Sequence, residues 1–192
     1  MDAPLTETKL MSMEDWLDQF GDEPFEFVDG EKIPMSPSVA GSNYTARILE
    51  KALDRVVEAQ KLGEVLVEAT FVFTDNPQWV RRSLIPDVAF VKLEKLVAFR
   101  TRYPNWKELP YMIVPDLVVE VLSPTDRQSD VRRKTARYFE EGVQLVWVVD
   151  YLNEVVEVFN KTGFVRELTN TDTLTAGDII PCFELTLETL FT

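Results

Sequence analysis

The chain has 192 residues, of which 45% are hydrophobic and 28% are charged, and these values are typical of a globular protein. This length fits one domain better than two, so we predict a single domain over residues 1–192, with its core at about 11–190 and a flexible start at 1–10. The sequence contains no histidine, which excludes Ser-His-Asp and Cys-His catalysis, histidine-ligated zinc and histidine general bases. Acid–base or metal chemistry must therefore use carboxylates, lysine, tyrosine or the backbone.

The net charge is −13, which is unfavourable for a protein that binds nucleic acid, because neutralisation of phosphates supplies much of such affinity. The basic residues are nevertheless unevenly distributed. Five of them lie within eleven positions: Arg127, Arg132, Arg133, Lys134 and Arg137. We therefore expect a local, positively charged surface patch on a protein that is acidic overall.

Cysteine usage and hydropathy indicate the compartment. Cys182 is the only cysteine, so an internal disulfide is impossible and a reducing compartment is favoured. The first 30 residues show no basic leader and no long apolar run, and no stretch of the chain approaches 18 consecutive apolar residues. We expect a cytoplasmic protein without a membrane partner.

The spacing of apolar residues and the turn signals predict the elements in chain order. The first part contains a helix over 13–20 with Ser12 as its N-cap, a hairpin over 25–33 across Asp29-Gly30, a polar loop over 34–42, and a helix over 43–62 that stops at Gly63. Strands follow over 65–73, 84–91 and 116–122, with a long irregular connection over 93–113 that can contain a helical turn. The chain is completed by a helix over 126–142, a strand over 143–149, a second hairpin over 154–168 and a tail over 171–192.

The central part of the chain reads helix, strand, strand, strand, helix, strand, which is an α/β arrangement. The strand over 143–149 is so apolar that we expect it to be buried on both faces of the sheet. Apolar residues of the tail, which we expect to cover the core, are Phe183, Leu185, Leu187, Leu190 and Phe191.

Glu120 interrupts the apolar strand over 116–122. An unpaired charge in such a strand is unfavourable, so a partner must compensate it. The two usual partners are a divalent cation and a buried basic residue such as an arginine, and the sequence leaves both open.

Asp87 begins a different apolar strand, directly after Pro86, which cannot donate a hydrogen bond to a ladder. By position alone it could be a strand-end cap or a turn residue. If its strand neighbours that of Glu120 in matching register, the two backbones lie about 5 Å apart. Two carboxylates so placed suit a hard cation such as Mg²⁺ or Mn²⁺.

Lys134 lies on the inward face of the helix over 126–142, three residues after Val131 and four before Tyr138. The side chain could snorkel, with its ammonium in solvent. Alternatively, the ammonium points to Glu120 and to a substrate phosphate. Asp130 lies one turn earlier and could pair with it.

These segments together resemble the Uma-two family of restriction-endonuclease-like proteins. The match runs from about residue 11 to the C-terminus. Each motif is loose, but their ordered combination is specific: Glu26-Phe27-Val28-Asp29-Gly30-Glu31, Ile85-Pro86-Asp87-Val88, Pro115 to Pro124, Asp130 with Lys134 and Tyr138, and Gly142-Val143 with Trp147-Val148-Val149-Asp150. The resemblance implies the PD-(D/E)XK nuclease superfamily and its restriction-endonuclease-like core, an α-β-β-β-α-β mixed sheet flanked by helices, here with N-terminal and C-terminal β-hairpins.

The resemblance also implies residue roles. Asp87 would be the bridging metal ligand, and Glu120 would be the second acid, with the Val121 carbonyl as a further ligand. Lys134 would replace the lysine that is absent two positions after Glu120, and Glu26 would be an additional acid of the site. These roles imply a Mg²⁺- or Mn²⁺-dependent endonuclease that hydrolyses DNA, and related nucleases suggest a homodimer.

Asp116, preceded by Pro115, competes with Asp87 for the first role. It lies four residues from Glu120 on the same strand, roughly 13 Å along it, which is too far to share one ion. We therefore predict Asp87 as the ligand.

One departure from the family favours a different function. Many members carry a histidine near the positions of Gly41 to Tyr44, and this sequence has none. With the net charge, this departure favours a catalytically inactive or regulatory member that binds a partner protein or itself. Hydrolysis of a small phosphate ester is a third possibility.

Overall fold

The computed structural model describes residues 10–35, 38–169 and 171–192. Apart from Leu10, the predicted flexible start lies outside the described residues, and the single-domain organisation stays a prediction. The helices of the described residues are α1 (Met13–Asp22), α2 (Ala40–Gln60), α3 (Leu93–Arg102), α4 (Gln128–Glu141) and α5 (Leu187–Leu190), with a 3-10 turn at Trp106–Glu108.

The strands of these residues are β1 (Met11–Ser12), β2 (Phe25–Val28), β3 (Glu31–Pro34), β4 (Gly63–Val67), β5 (Phe71–Phe73), β6 (Trp79–Val80), β7 (Arg82–Leu84), β8 (Val88–Lys92), β9 (Leu117–Val121), β10 (Leu145–Asp150), β11 (Val155–Asn160), β12 (Gly163–Thr169), β13 (Thr173–Thr175) and β14 (Glu184–Thr186).

The largest sheet has six strands in the order β12-β11-β10-β9-β8-β4. The β9 and β10 strands are parallel, and the other neighbours are antiparallel. The elements α2, β4, β8, β9, α4 and β10 follow the predicted α-β-β-β-α-β order, so the predicted fold class is confirmed. Five of the six residues of β10 are buried, as expected for a strand covered on both faces.

Two hydrophobic clusters lie on opposite faces of this sheet. On one face, α2 contributes Leu49, Leu53 and Val57, all fully buried, because apolar residues spaced by three and four form one stripe of a helix. Each such side chain contributes roughly 1.5–3 kcal/mol by its burial. The predicted tail residues join this cluster: Phe183, Leu185, Leu187 and Leu190 are buried, and Phe191 packs against them. On the other face, α4 packs through Tyr138, which is also fully buried.

The first hairpin belongs to a second sheet, with the order β3-β2-β7-β5. Asp29 and Gly30 both have positive φ values, 53° and 84°, which the tight turn of the predicted hairpin requires. Helix α1 begins as predicted, with the Ser12 side chain accepting a hydrogen bond from the Asp15 N–H. Trp16 of α1 is buried in a third cluster with Phe25 of β2.

The predicted strand over 84–91 is wrong, because the structure divides it between the two sheets. Strand β7 ends at Leu84 in the small sheet, and β8 begins at Val88 in the large one. Pro86 interrupts the ladder since it has no N–H to donate. The predicted strand over 65–73 is divided in the same way, into β4 and β5. Asp87 therefore lies at the junction of the two sheets.

Helix α2 differs from its prediction at both ends. It begins at Ala40 rather than 43, where Ser42 exchanges hydrogen bonds with the Val39 backbone, so part of the predicted loop over 34–42 is helical. At its end, Lys61 rather than the predicted Gly63 stops the helix, in the left-handed conformation. Gly63 opens β4 instead, where a Cβ atom would lie 2.0 Å from the Val91 carbonyl oxygen. The connection over 93–113 was predicted to be irregular but begins with α3. Within the described residues, no helix has the length and apolarity needed to cross a bilayer.

Asp116 is fully buried at the end of β9 away from Glu120. Its carboxylate lies 2.9 Å from Lys95 Nζ and accepts hydrogen bonds from the Gln144 side chain at 2.8 Å and the Lys92 N–H at 3.0 Å. These partners link β8, α3, β9 and the start of β10. Asp116 thus stabilises the fold, and Asp87 remains the predicted metal ligand.

We predict that Asp116→Ala destabilises the protein, because it removes the fully buried acceptor that Lys95, Gln144 and the Lys92 N–H share. The expected loss is about 3 kcal/mol of unfolding free energy in urea, followed by tryptophan fluorescence. Asp75→Ala is the control, since that side chain is 93% exposed. Equal stability of the two variants would contradict the structural role of Asp116.

Candidate active site

Asp87 and Glu120 meet where β8 lies beside β9. Val88 is the partner of Val119 in this antiparallel pair, so the register continues to Asp87 beside Glu120. The Asp87 Oδ2 atom accepts a hydrogen bond of 2.6 Å from the Val121 N–H. The two strands therefore bring the two predicted carboxylates together. The Asp87 side chain also accepts from a backbone N–H of β9 next to the point where Pro86 interrupts the strand pairing.

Lys134 reaches this point from α4. Its Nζ atom lies 2.9 Å from Glu120 Oε2 and 2.8 Å from Glu26 Oε1, and it donates to the Ile85 carbonyl at 3.3 Å. The side chain is 22% exposed, so the ammonium does not snorkel into solvent. The basic partner of Glu120 is therefore this lysine and not an arginine. Asp130 pairs with Arg133 at 3.4 Å instead, which contradicts its suggested pairing with Lys134.

Glu26 is buried in β2, the first strand of the first hairpin. Its Oε1 atom accepts a hydrogen bond of 2.9 Å from the Ile85 N–H in addition to its ion pair with Lys134. The segment after β7 thus binds Glu26 through its N–H and Lys134 through its carbonyl. Glu26 holds the ammonium in place from the second sheet.

Tyr138 belongs to the same cluster, although the sequence indicated only its place on the inward helix face and in the motif with Asp130 and Lys134. Its hydroxyl donates a hydrogen bond of 2.5 Å to Glu120 Oε1. The spacing in the sequence could have indicated this contact, because a residue four positions after Lys134 lies on the same helix face one turn further along. With Lys134 on Oε2 and Tyr138 on Oε1, both oxygens of Glu120 have donors from α4.

The surroundings of Glu120 and Asp87 favour the protonated form of both side chains. Burial, together with the nearby Asp87 and Glu26, raises the pKa of Glu120 to about 8, although Lys134 and Tyr138 oppose this shift. Burial also raises the pKa of Asp87, against the Val121 N–H and Lys134. For Lys134, burial disfavours the charged form, but the two carboxylates outweigh it and raise the pKa above its usual range. One ammonium therefore does not balance the three carboxylates around it.

The cluster forms the floor of a cavity of about 360 Å³. Six carboxylates and four basic side chains line this cavity, so its lining is formally acidic: Glu26, Glu68, Asp87, Glu120, Asp126 and Asp130 against Arg127, Arg133, Lys134 and Arg137. A bound cation would offset the excess of negative charge.

Within the described residues, no three acidic or cysteine side chains lie close enough together to hold a metal ion. A site here would thus depend on two carboxylates, Asp87 and Glu120, and on backbone and water oxygens. All of these are hard donors, and Mg²⁺ binds through one or two carboxylates while it keeps several waters. The Val121 backbone lies beside both acids and lines the cavity. The donor set therefore fits a small hard divalent cation.

The fold is that of a nuclease-like α/β protein. A crystal structure from Anabaena variabilis ATCC 29413, described as "a putative nuclease belonging to DUF820", superposes with a TM-score of 0.74. The alignment covers 91% of this chain and 96% of that one at 19% identity, which shows a shared fold alone. No curated protein matches the sequence.

The family is shown by the sequence itself. The model of the Uma2 family, described as "Putative restriction endonuclease", matches residues 12–188. The chain belongs to this family, as the resemblance of its motifs implied.

We predict that Glu120 makes stability depend on pH. The raised pKa of Glu120 favours its protonated form in the folded protein. The contribution of Glu120 to the unfolding free energy is therefore full below about pH 4.5 and is lost as the pH rises through about 8. Without divalent cations, the unfolding free energy should fall more steeply from pH 5 to pH 8.5 in the wild type than in Glu120→Gln.

Urea unfolding at a series of pH values measures this difference. Glu157→Gln is the matched control, because Glu157 lies in the same row of the sheet, with Val148 of β10 between it and Glu120. Parallel profiles of Glu120→Gln and the wild type would contradict the prediction.

Proposed function

We propose that this protein is a metal-dependent endonuclease that hydrolyses DNA phosphodiester bonds. The observation that carries the proposal is the convergence of Asp87, Glu120 and Lys134, from two neighbouring strands and the next helix, on the floor of one cavity. Membership in a family described as restriction endonucleases supports DNA as the substrate.

Asp87, Glu120 and the Val121 carbonyl would hold Mg²⁺ or Mn²⁺. A cation bound there supplies Lewis acidity and lowers the pKa of water. Its charge would also offset the repulsion that Asp87 and Glu26 exert on Glu120, which together with burial raises the pKa of Glu120.

Lys134 would stabilise the negative charge that develops on the phosphate during hydrolysis. Its ammonium is already oriented by Glu26, Glu120 and the Ile85 carbonyl, so little reorganisation would accompany the reaction. Tyr138 would orient Glu120 from the opposite side through its hydroxyl. In this arrangement, Glu26 and Tyr138 act through the residues they hold.

We expect the wild type to cleave DNA in Mn²⁺ and to leave it intact in EDTA. Asp87→Ala and Glu120→Ala should each lower the cleavage rate at least about 100-fold, because each removes a predicted ligand. Lys134→Ala should lower the rate by a similar factor through lost charge stabilisation. Gel assays of supercoiled plasmid and of circular single-stranded DNA measure these rates.

Glu157→Ala is the matched control for Glu120→Ala, since it removes a carboxylate from the same row of the sheet. Circular dichroism identifies any variant that fails to fold. Equal nicking by the wild type, Asp87→Ala and Glu120→Ala would contradict the proposal.

The alternative is a catalytically inactive or regulatory member that binds a partner protein or itself. The net charge of −13 and the tight pairing of Lys134 with two carboxylates favour it. Calorimetric titration with Mn²⁺ separates the two functions. The endonuclease should bind Mn²⁺ and lose this binding in Asp87→Asn, whereas an inactive member that lacks a metal site should release no binding heat.

We also propose that the protein forms a homodimer. Strand β12 is an edge of the six-stranded sheet, and its Phe164 and Val165 are 57% and 48% exposed. Such an edge provides backbone donors and acceptors to a second copy. A monomeric mass in light scattering would contradict this proposal.

A further inference from the structure

The basic groups of the cavity all come from one side. Arg133, Lys134 and Arg137 belong to α4, and Arg127 is the N-cap residue of that helix. The first hairpin and the segment from Leu84 to Pro86 contribute apolar side chains beside the carboxylates of the floor: Val28, Ile33, Leu84, Ile85 and Pro86. The cavity therefore has a cationic wall and an apolar wall.

The arginines of the cationic wall differ in how firmly they are paired. Arg137 is engaged by both oxygens of Glu140, at 2.7 and 2.9 Å, and by Asp29 at 2.5 Å. Arg133 has only a 3.4 Å contact with Asp130, and both side chains are 57% exposed. Arg127 forms no ion pair with any residue that the structure describes. Arg127 and Arg133 are therefore the arginines available to a ligand.

We infer that the cavity takes an unpaired strand of DNA, whose phosphates contact Arg127 and Arg133 while its base faces the apolar wall. The inference rests on the proposed function, because a phosphodiester must enter the cavity. A duplex carries phosphates on two strands, but the basic groups that line this cavity lie along one helix only. Elsewhere the net charge of −13 repels a second strand.

The size of the cavity agrees with this inference. A volume of about 360 Å³ lies at the lower end of the range for sites that enclose one small molecule. Enzymes that enclose a single nucleotide in this way act on single strands or first extrude the nucleotide from the duplex. A strand that is already unpaired avoids the unfavourable free energy of that extrusion.

The test measures binding by fluorescence anisotropy with two labelled probes of the same sequence, one single-stranded and one duplex. Ca²⁺ replaces Mn²⁺, because it takes the same oxygen ligands, and gels confirm that the probes stay intact. We expect the wild type to bind the single strand at least about tenfold more tightly than the duplex.

The arginine variants test the contacts. Arg127→Ala and Arg133→Ala should each weaken single-strand binding roughly fivefold and lower the slope of log affinity against log salt by about 0.7, the value for one lost phosphate contact. Arg132→Ala is the matched control, since Arg132 is the exposed neighbour of Arg133 on the same helix but lines a different cavity. It should bind like the wild type.

Equal or tighter binding of the duplex, no binding of either probe, or equal effects of the three arginine variants would each overturn the inference. These outcomes remain distinguishable from failure of the proposed function, because binding is measured without turnover. A wild type that binds as expected but does not cleave in Mn²⁺ contradicts the endonuclease and supports this inference. A wild type that cleaves while all three arginine variants bind alike contradicts this inference alone.

Discussion

The position of the Lys134 ammonium is the constraint on which the site depends. It forms ion pairs with Glu26 of one sheet and Glu120 of the other, and it donates to the carbonyl of Ile85 between them. A buried carboxylate without such a partner is strongly unfavourable, so the two acids and the lysine require one another. One ammonium nevertheless leaves an excess of negative charge, and burial, with a further contribution from neighbouring carboxylates, raises the pKa of both Glu120 and Asp87.

The break between β7 and β8 supplies the backbone groups that position the charged side chains of this cluster. Because the chain leaves the small sheet at Leu84 and enters the large one at Val88, the backbone groups between them are free to bind side chains. Asp87 is placed at the end of a strand, where its carboxylate reaches the Val121 N–H. In an uninterrupted strand, these backbone groups would bond to neighbouring strands and could not orient Glu26 and Lys134.

Helix α4 joins both parts of the site, and a second charged network fixes its orientation. Glu141 lies seven residues after Lys134, on the same helix face, and its carboxylate binds Arg81 and Arg82 beside β7. Arg82 also contacts Asp29 in the turn of the first hairpin. The helix is thus held to the small sheet near its C-terminal end, while Lys134 and Tyr138 hold Glu120 of the large sheet.

The sequence by itself determined the features that depend on local pattern. A carboxylate inside an apolar strand, a lysine on the inward face of a helix and an Asp-Gly turn are each recognisable because the periods of strand and helix decide which way a side chain points. The division of residues 84–91 between two sheets, the pairing of Lys134 with Glu26, the hydroxyl of Tyr138 on Glu120 and the commitment of Asp116 to Lys95 were decided only by the tertiary structure. These contacts join residues far apart in the chain, and local periodicity carries no information about the register in which distant segments meet.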